Sequence, residues 1–167
     1  PPILAYASYC MNNWRRIDPA GPIELGNIEL LQNFTHAAKR DEDWFILVHV
    51  DIEAKAGEAM LAIQDLANVT MTVYHDDSED RILSALGRLH QSLVAVNKTI
   101  TRMPESCSPD VYFKGVRPYI FGFTDVVYDG CFDNQPQTYR GETGAQSSVV
   151  PAVLSATMSG NTLVIQA

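Results

Sequence analysis

Between Asp76 and Met103 the apolar residues Ile82, Leu86, Leu89, Leu93, Val96, Ile100 and Met103 recur at alternating spacings of four and three. Only a helix gathers such positions into one narrow seam, because residues three and four apart lie above one another on its surface. A strand would scatter them over both of its faces. The acidic residues Asp76, Asp77, Glu79 and Asp80 suit the positive N-terminal end of that helix. The repeat lasts only about three to four heptads, so the seam reads as bundle core rather than as a free coiled coil.

A second long helix is predicted from Asp41 to about Leu66. Trp44, Phe45, Leu47, Val48, Val50 and Ile52 crowd its first half, and Ala56, Met60, Ile63 and Leu66 follow. Length and the many Ala, Glu, Lys and Leu residues favour helix over strand there. A helix apolar on most sides is buried in a larger body. Shorter helices are expected between Ile3 and Arg16, ended by the Asp18-Pro19-Ala20-Gly21-Pro22 breaker, and again over Ile23 to Phe34. Ser108-Pro109-Asp110 opens another, with Ser at the cap and Pro in the first turn, and Pro118 closes it. Phe121 to Asp133 is predicted to be irregular. The fold class is therefore all-α with long connections.

A chain of 167 residues fits one compact domain. Its net charge of -8 and pI near 4.8 argue against a nucleic-acid partner, which requires a basic face. No apolar run is long enough to span a membrane, and no signal segment opens the sequence. Cys10, Cys107 and Cys131 are few, odd in number and widely spaced, which suggests reduced thiols and a cytoplasmic setting. The sequence begins Pro1-Pro2 and is read as a piece of something longer.

Three places carry candidate chemistry. The first is the stretch Tyr139 to Ser148, where Gly141 and Gly144 permit close approach to the main chain. Thr143, Gln146, Ser147 and Ser148 supply groups that bind a ligand or cap the apolar run from Val149 to Leu154. The second is His49, in the most apolar part of the chain. Alone it reads as a satisfied core histidine, but Phe45, His49 and Glu53 fall at i, i+4 and i+8 on one helix face and could floor a pocket. A His49–Glu53 pair supplies too few ligands to define a metal site. The third is Arg117, beyond Tyr112 and Phe113, either a solvated helix-end cation or a fork for a carboxylate. His36, His75 and His90 read as surface or structural, and no Cys-x-x-Cys, nucleophile elbow or nucleotide loop is present.

Taken in order, several segments resemble the indoleamine 2,3-dioxygenase family, of a fungal or other non-vertebrate type. They are Pro1 to Tyr6 through Asn13-Trp14, the Asp18-Pro19 and Gly21-Pro22 turns, Phe45 to Ala54, Tyr112-Phe113-x-x-Val116-Arg117, and Gly141 to Ser148. The similarity extends to about Leu154. It implies part of a large helical domain that holds haem b, with L-tryptophan and O₂ as substrates and N-formylkynurenine as product. It further implies that Tyr6, Tyr9, Cys10 and Phe45 line the pocket around the indole ring, and that Tyr112 and Phe113 sit over the haem edge. Arg117 would bind the substrate carboxylate, and Thr143, Gly144 and Ala145 would run beside haem and substrate. His49 falls where vertebrate members carry serine. It is similar to the distal histidine of tryptophan 2,3-dioxygenases, which accepts a hydrogen bond from the indole N–H.

The sequence departs from the family pattern in two ways. Glu142 and Thr143 replace a glycine and a serine in the loop, with glycine and alanine exchanged beyond them. The small N-terminal domain and the downstream segment bearing the proximal histidine, the iron's axial ligand, lie outside residues 1–167. The metal ligand is thus expected elsewhere in the complete protein, with that remainder as partner, and the isolated segment is expected to be inactive. A haem protein that binds O₂ without turnover and a non-haem helical interaction module are the alternative readings.

Overall fold

The computed structural model describes residues 5–71, 78–141 and 144–158, without the side chains of residues 70, 71, 145, 157 and 158. These residues form two compact units, one within 1–50 and 102–146 and the other within 51–101 and 147–167. Helices dominate both, in keeping with the all-α expectation. The chain begins with a wide helical turn, Ala7–Met11, then β1 (Trp14–Arg16) and β2 (Ile28–Leu30). Helices α1 (Lys39–Met71) and α2 (Ser78–Ile100) follow. Next come α3 (Pro109–Val111), a second wide turn (Tyr112–Val116) and a tight turn (Arg117–Tyr119). Strands β3 (Gly122–Val126) and β4 (Gln137–Arg140), a turn at Gly144–Gln146 and α4 (Val149–Met158) complete the order.

The first unit is built on the N-terminal part of α1. Ile46 and Val48 are fully buried, and burying such a side chain contributes about 1.5–3 kcal/mol. Ile46 and Val50 pack with Tyr6, Tyr9, Cys10, Ile28, Ala38, Val116 and Ile120. The entry to α1 is fixed by Glu42, whose buried carboxylate accepts the Phe34 N–H (2.6 Å) and Thr35 N–H (3.2 Å). Burial pushes this carboxyl above its ordinary value, opposed by those two backbone hydrogen bonds. Asn13 is a second clip: Nδ2 donates to the Gln32 carbonyl at 2.7 Å, while Oδ1 accepts the Gln32 N–H at 3.0 Å.

Two short antiparallel ladders correct the helical expectation for their segments. Trp14 pairs with Leu30 and Arg16 with Ile28, so Trp14–Arg16 and Ile28–Leu30 are strands. Ile28 and Leu30, two residues apart, share one face of a strand but not of a helix, and the Asp18–Asn27 turn brings the two segments together. Likewise, the region expected to be irregular contains β3, paired with β4 from Gly122↔Arg140 to Val126↔Gln137. A bulge between Phe123 and Val126 carries Asp125 at φ 55°, which disguises the alternation.

In the second unit Ala59, Ala62, Ile63 and Leu66 of α1 pack on Ala85 and Leu89 of α2, with Ala152, Val153 and Ala156 of α4 against them. Helix α2 matches the prediction and its seam does in part, since Leu89 is buried and Ile82 and Leu93 pack against the same core. The buried residues are Ser78, Ala85, Leu89, Ser92 and Thr99, with Ile82 and Val96 half-buried. Leu86 and Ile100 are 46% and 51% exposed. The packed stripe therefore alternates Ser78, Ala85, Ser92 and Thr99 with Ile82, Leu89 and Val96. Small residues let the helices approach closely, and their polarity is satisfied across the contact: the Ser92 hydroxyl donates to the Lys55 carbonyl at 2.7 Å. Lys55 Nζ donates to Asp51 Oδ2 (2.6 Å) and Thr99 Oγ1 (2.6 Å), and Thr99 donates to the same carboxylate oxygen at 2.8 Å. On the outside, Arg88 pairs with Glu58 and Asp65. Among the described residues no helix is long and apolar enough to cross a membrane.

Candidate functional site

The first wide turn presents Tyr9 and Cys10, with Tyr6 just ahead; all three are at most 5% exposed. Cys10 Sγ contacts the Ile46 carbonyl at 3.9 Å, which sets this turn against α1. From α1, Phe45 and His49 stand one helical turn apart with ring centroids 4.4 Å apart. Tyr112 lies on the other side of Phe45 at 4.3 Å, and Tyr6 meets the His49 ring edge-on at 6.3 Å. Tyr6 continues to Tyr9 (5.6 Å), Tyr9 to Phe34 (5.9 Å) and Phe34 to Tyr119 (5.9 Å). An aromatic chain thus begins at Tyr112 and returns at Tyr119 to the same segment. Phe34 and Tyr119 were not singled out from the sequence; each follows a residue type associated with loops, and only the tertiary packing reveals it.

His49 has a defined polarity. Its Nδ1 lies 2.7 Å from the Phe45 carbonyl oxygen, which only accepts, so Nδ1 carries the hydrogen. In the neutral ring the acceptor lone pair is then on Nε2. Gly144 follows the loop to this point: a Cβ there would sit 3.6 Å from the Nε2 edge of His49 and 3.8 Å from Tyr6, at ordinary contact.

Arg117 begins the tight turn that Pro118 enforces, and its guanidinium lies 4.4 Å over the Phe121 ring. Burial pushes the Tyr112 phenol upward, opposed by the nearby Arg117 guanidinium. Ser108 occupies the cap position of α3 through its backbone alone, and its N–H donates to Asp41 Oδ1 at 2.6 Å.

Tyr6, Tyr9, Cys10, Phe45, His49, Tyr112, Arg117 and Gly144 are thus brought together in the first unit. Phe113 stands apart, 63% exposed. Thr143 lies outside the described residues, and Ala145 contributes only backbone to the turn at 144–146. Gly141 is placed by β3, its N–H donating to the Phe121 carbonyl at 2.8 Å; a Cβ there would overlap the Ile120 carbonyl oxygen. The loop does enter a helix, as expected: Ser147 Oγ accepts the Val149 N–H at 3.2 Å. Glu53 falls in the second unit, and among the described residues no three His, Cys, Asp or Glu gather as a metal cluster. The three cysteines form no disulfide.

Comparison with known proteins decides the family. The indoleamine 2,3-dioxygenase family model matches residues 1–155. The chain belongs to the indoleamine 2,3-dioxygenase family. It is 30% identical over 159 residues to human indoleamine 2,3-dioxygenase 2, covering 91% of this chain and 37% of that protein. With the indoleamine 2,3-dioxygenase of Saccharomyces cerevisiae it shares 27% over 164 residues, covering 90% and 35%. With the myoglobin of Haliotis madaka it shares 26% over 157 residues, covering 89% and 38%. The chain therefore spans little more than a third of the length of these relatives.

Proposed function

We propose that the complete protein is a haem-dependent dioxygenase that opens the indole ring of L-tryptophan with O₂ to give N-formylkynurenine, with this chain furnishing the distal pocket of the large helical domain. One observation carries the reading. A half-buried aromatic wall holding one imidazole, and a guanidinium in the same unit, complement the three recognisable parts of tryptophan: flat ring, indole N–H and carboxylate.

The residues also suit haem b. Phe45, Tyr112 and the His49 ring offer flat, largely apolar surface, and a Cβ built on Gly144 would lie 3.6 Å from the His49 ring. Tyr112, Phe113, Gly144, Ala145 and Thr143 are assigned to the haem edge, which accounts for the exposure of Phe113. When bound, haem supplies the activation of O₂ toward the indole C2–C3 bond. The chain's own residues do the rest. Arg117 holds the carboxylate with two N–H donors. His49 accepts the indole N–H at Nε2, its ring orientation fixed by the Nδ1–H bond to Phe45. Tyr6, Tyr9, Cys10 and Phe45 enclose the benzene ring and keep water out. The small N-terminal domain and the proximal histidine belong, on this reading, to the remainder of a cytoplasmic protein.

Arg117→Ala in the full-length protein tests the assignment. Loss of a charge-assisted pair raises KM for L-tryptophan by about 30-fold or more, with a smaller change in kcat. Wild-type turnover at low tryptophan would remove Arg117 from the role. The Haliotis relatives named myoglobin favour a second reading, reversible O₂ binding without turnover. Full-length protein that takes up O₂ reversibly and leaves tryptophan unchanged would establish it.

A further inference from the structure

Arg117 and Phe121 stand at the two ends of one tight turn. The Arg117 carbonyl accepts the N–H of Ile120 at 3.0 Å and that of Phe121 at 3.2 Å. Residues four apart in such a turn lie above one another, and the Arg117 guanidinium carbon sits over the Phe121 ring, 4.4 Å from its centroid. The main chain of Phe121 is fixed from its other side as well. Its carbonyl accepts the Gly141 N–H at 2.8 Å, and the next residue, Gly122, pairs with Arg140 across β3 and β4. Neither glycine has room for a side chain. A Cβ at Gly141 would lie 2.3 Å from the Phe121 carbonyl carbon, and one at Gly122, which holds φ 91°, would lie 2.1 Å from the Tyr139 carbonyl oxygen. Phe121 is thus joined by main-chain bonds both to the turn that starts at Arg117 and to the strand that delivers Gly141.

We infer that Phe121 is a positioning residue for Arg117: its ring carries the guanidinium and orients it toward a ligand carboxylate. The inference rests on the substrate reading above and adds to it the residue that sets the arginine's geometry. A ring face attracts a cation without committing its N–H donors to an acceptor atom, which suits an arginine whose task is to grip a carboxylate. A supported side chain also loses less rotamer freedom when the anion binds. Phe121 is 55% exposed, so the contact has the strength of a solvent-exposed cation–π pair. Phe121 serves Arg117 and acts on the carboxylate only through it.

The test uses full-length, haem-loaded protein. Phe121→Leu removes the π-face and keeps an apolar side chain, whereas Phe121→Tyr keeps the face. In Phe121→Leu, affinity for L-tryptophan, titrated by the Soret shift, should fall about three- to fivefold. Affinity for tryptamine, which lacks the carboxylate, should change less than about twofold, and Phe121→Tyr should bind L-tryptophan within about twofold of wild type. Equal losses for both ligands in Phe121→Leu, or a tyrosine variant as weak as the leucine variant, would overturn the inference. The contact itself is read without substrate by NMR of the Arg117 Nε–H proton, shifted upfield by the ring in wild type and Phe121→Tyr but not in Phe121→Leu. Absence of that difference also overturns it. If Phe121→Leu leaves L-tryptophan affinity unchanged, Arg117→Ala separates the causes. A loss of affinity there sinks the role of Phe121 alone; no loss there sinks the substrate reading and the inference with it.

Discussion

The buried pair Asp51–Lys55 makes an asymmetric prediction. Asp51 has no exposed side-chain surface, whereas Lys55 is 33% exposed. One carboxylate oxygen, Oδ2, accepts from Lys55 Nζ at 2.6 Å and from Thr99 Oγ1 at 2.8 Å; the other, Oδ1, has no hydrogen-bond partner among the described residues. Lys55→Met leaves the carboxylate buried with one neutral hydrogen bond. Removing one partner of a buried pair costs about 3–5 kcal/mol, and the partial exposure of Lys55 brings this toward about 3 kcal/mol. Asp51→Leu removes the buried charge together with the orphaned Oδ1, and Lys55 can turn its ammonium to solvent, so the cost is about 1 kcal/mol or less. The double substitution should be near neutral, giving a coupling of about 3–4 kcal/mol in a double-mutant cycle. Equilibrium urea unfolding of the four proteins, with the m-value checked for constancy, measures all three quantities. Equal costs for the two single variants would refute the reasoning, because they would show that the carboxylate is not held against a desolvation penalty.

The placement of the α2 seam is tested by two leucines. Leu89→Ala should cost about 2–4 kcal/mol, since the residue is 6% exposed, whereas Leu86→Ala, at 46% exposed, should cost about 1 kcal/mol or less; equal losses in thermal unfolding would return Leu86 to the seam read from periodicity. Glu42 predicts a pH effect of definite sign. Its carboxyl is raised above 4.5 in the fold, so the folded state binds more protons in the interval above that value and stability falls as pH rises through it. Glu42→Gln removes this dependence. The wild-type minus mutant unfolding free energy should therefore decline as pH rises above 4.5, and a rise would show that the two backbone hydrogen bonds outweigh burial.

The long helices were legible in the sequence because α1 and α2 obey helical periodicity over many turns. The exact stripe of α2 was not. Hydrophobicity points to Leu86 and Ile100, but close packing selects Ala85, Ser92 and Thr99, and the two hydroxyls find partners on α1. Strands of three residues, such as Ile28–Leu30, carry too few positions for period two to be distinguished from a helical turn. At the candidate site, residue identities were readable from ordered motifs, and the Phe45–His49 stripe from spacing alone. What only coordinates supply is the state of the groups: the Nδ1–H of His49 aimed at Phe45, the Arg117 guanidinium over Phe121, and the participation of Phe34 and Tyr119 from the far side of the aromatic chain.

The most direct test of the central claim is the visible spectrum of full-length, haem-loaded protein under reductant and O₂, with and without L-tryptophan. The account predicts a Soret band that shifts on adding L-tryptophan, followed by growth of N-formylkynurenine absorbance. A Soret band indifferent to tryptophan, with no product formed, would contradict it.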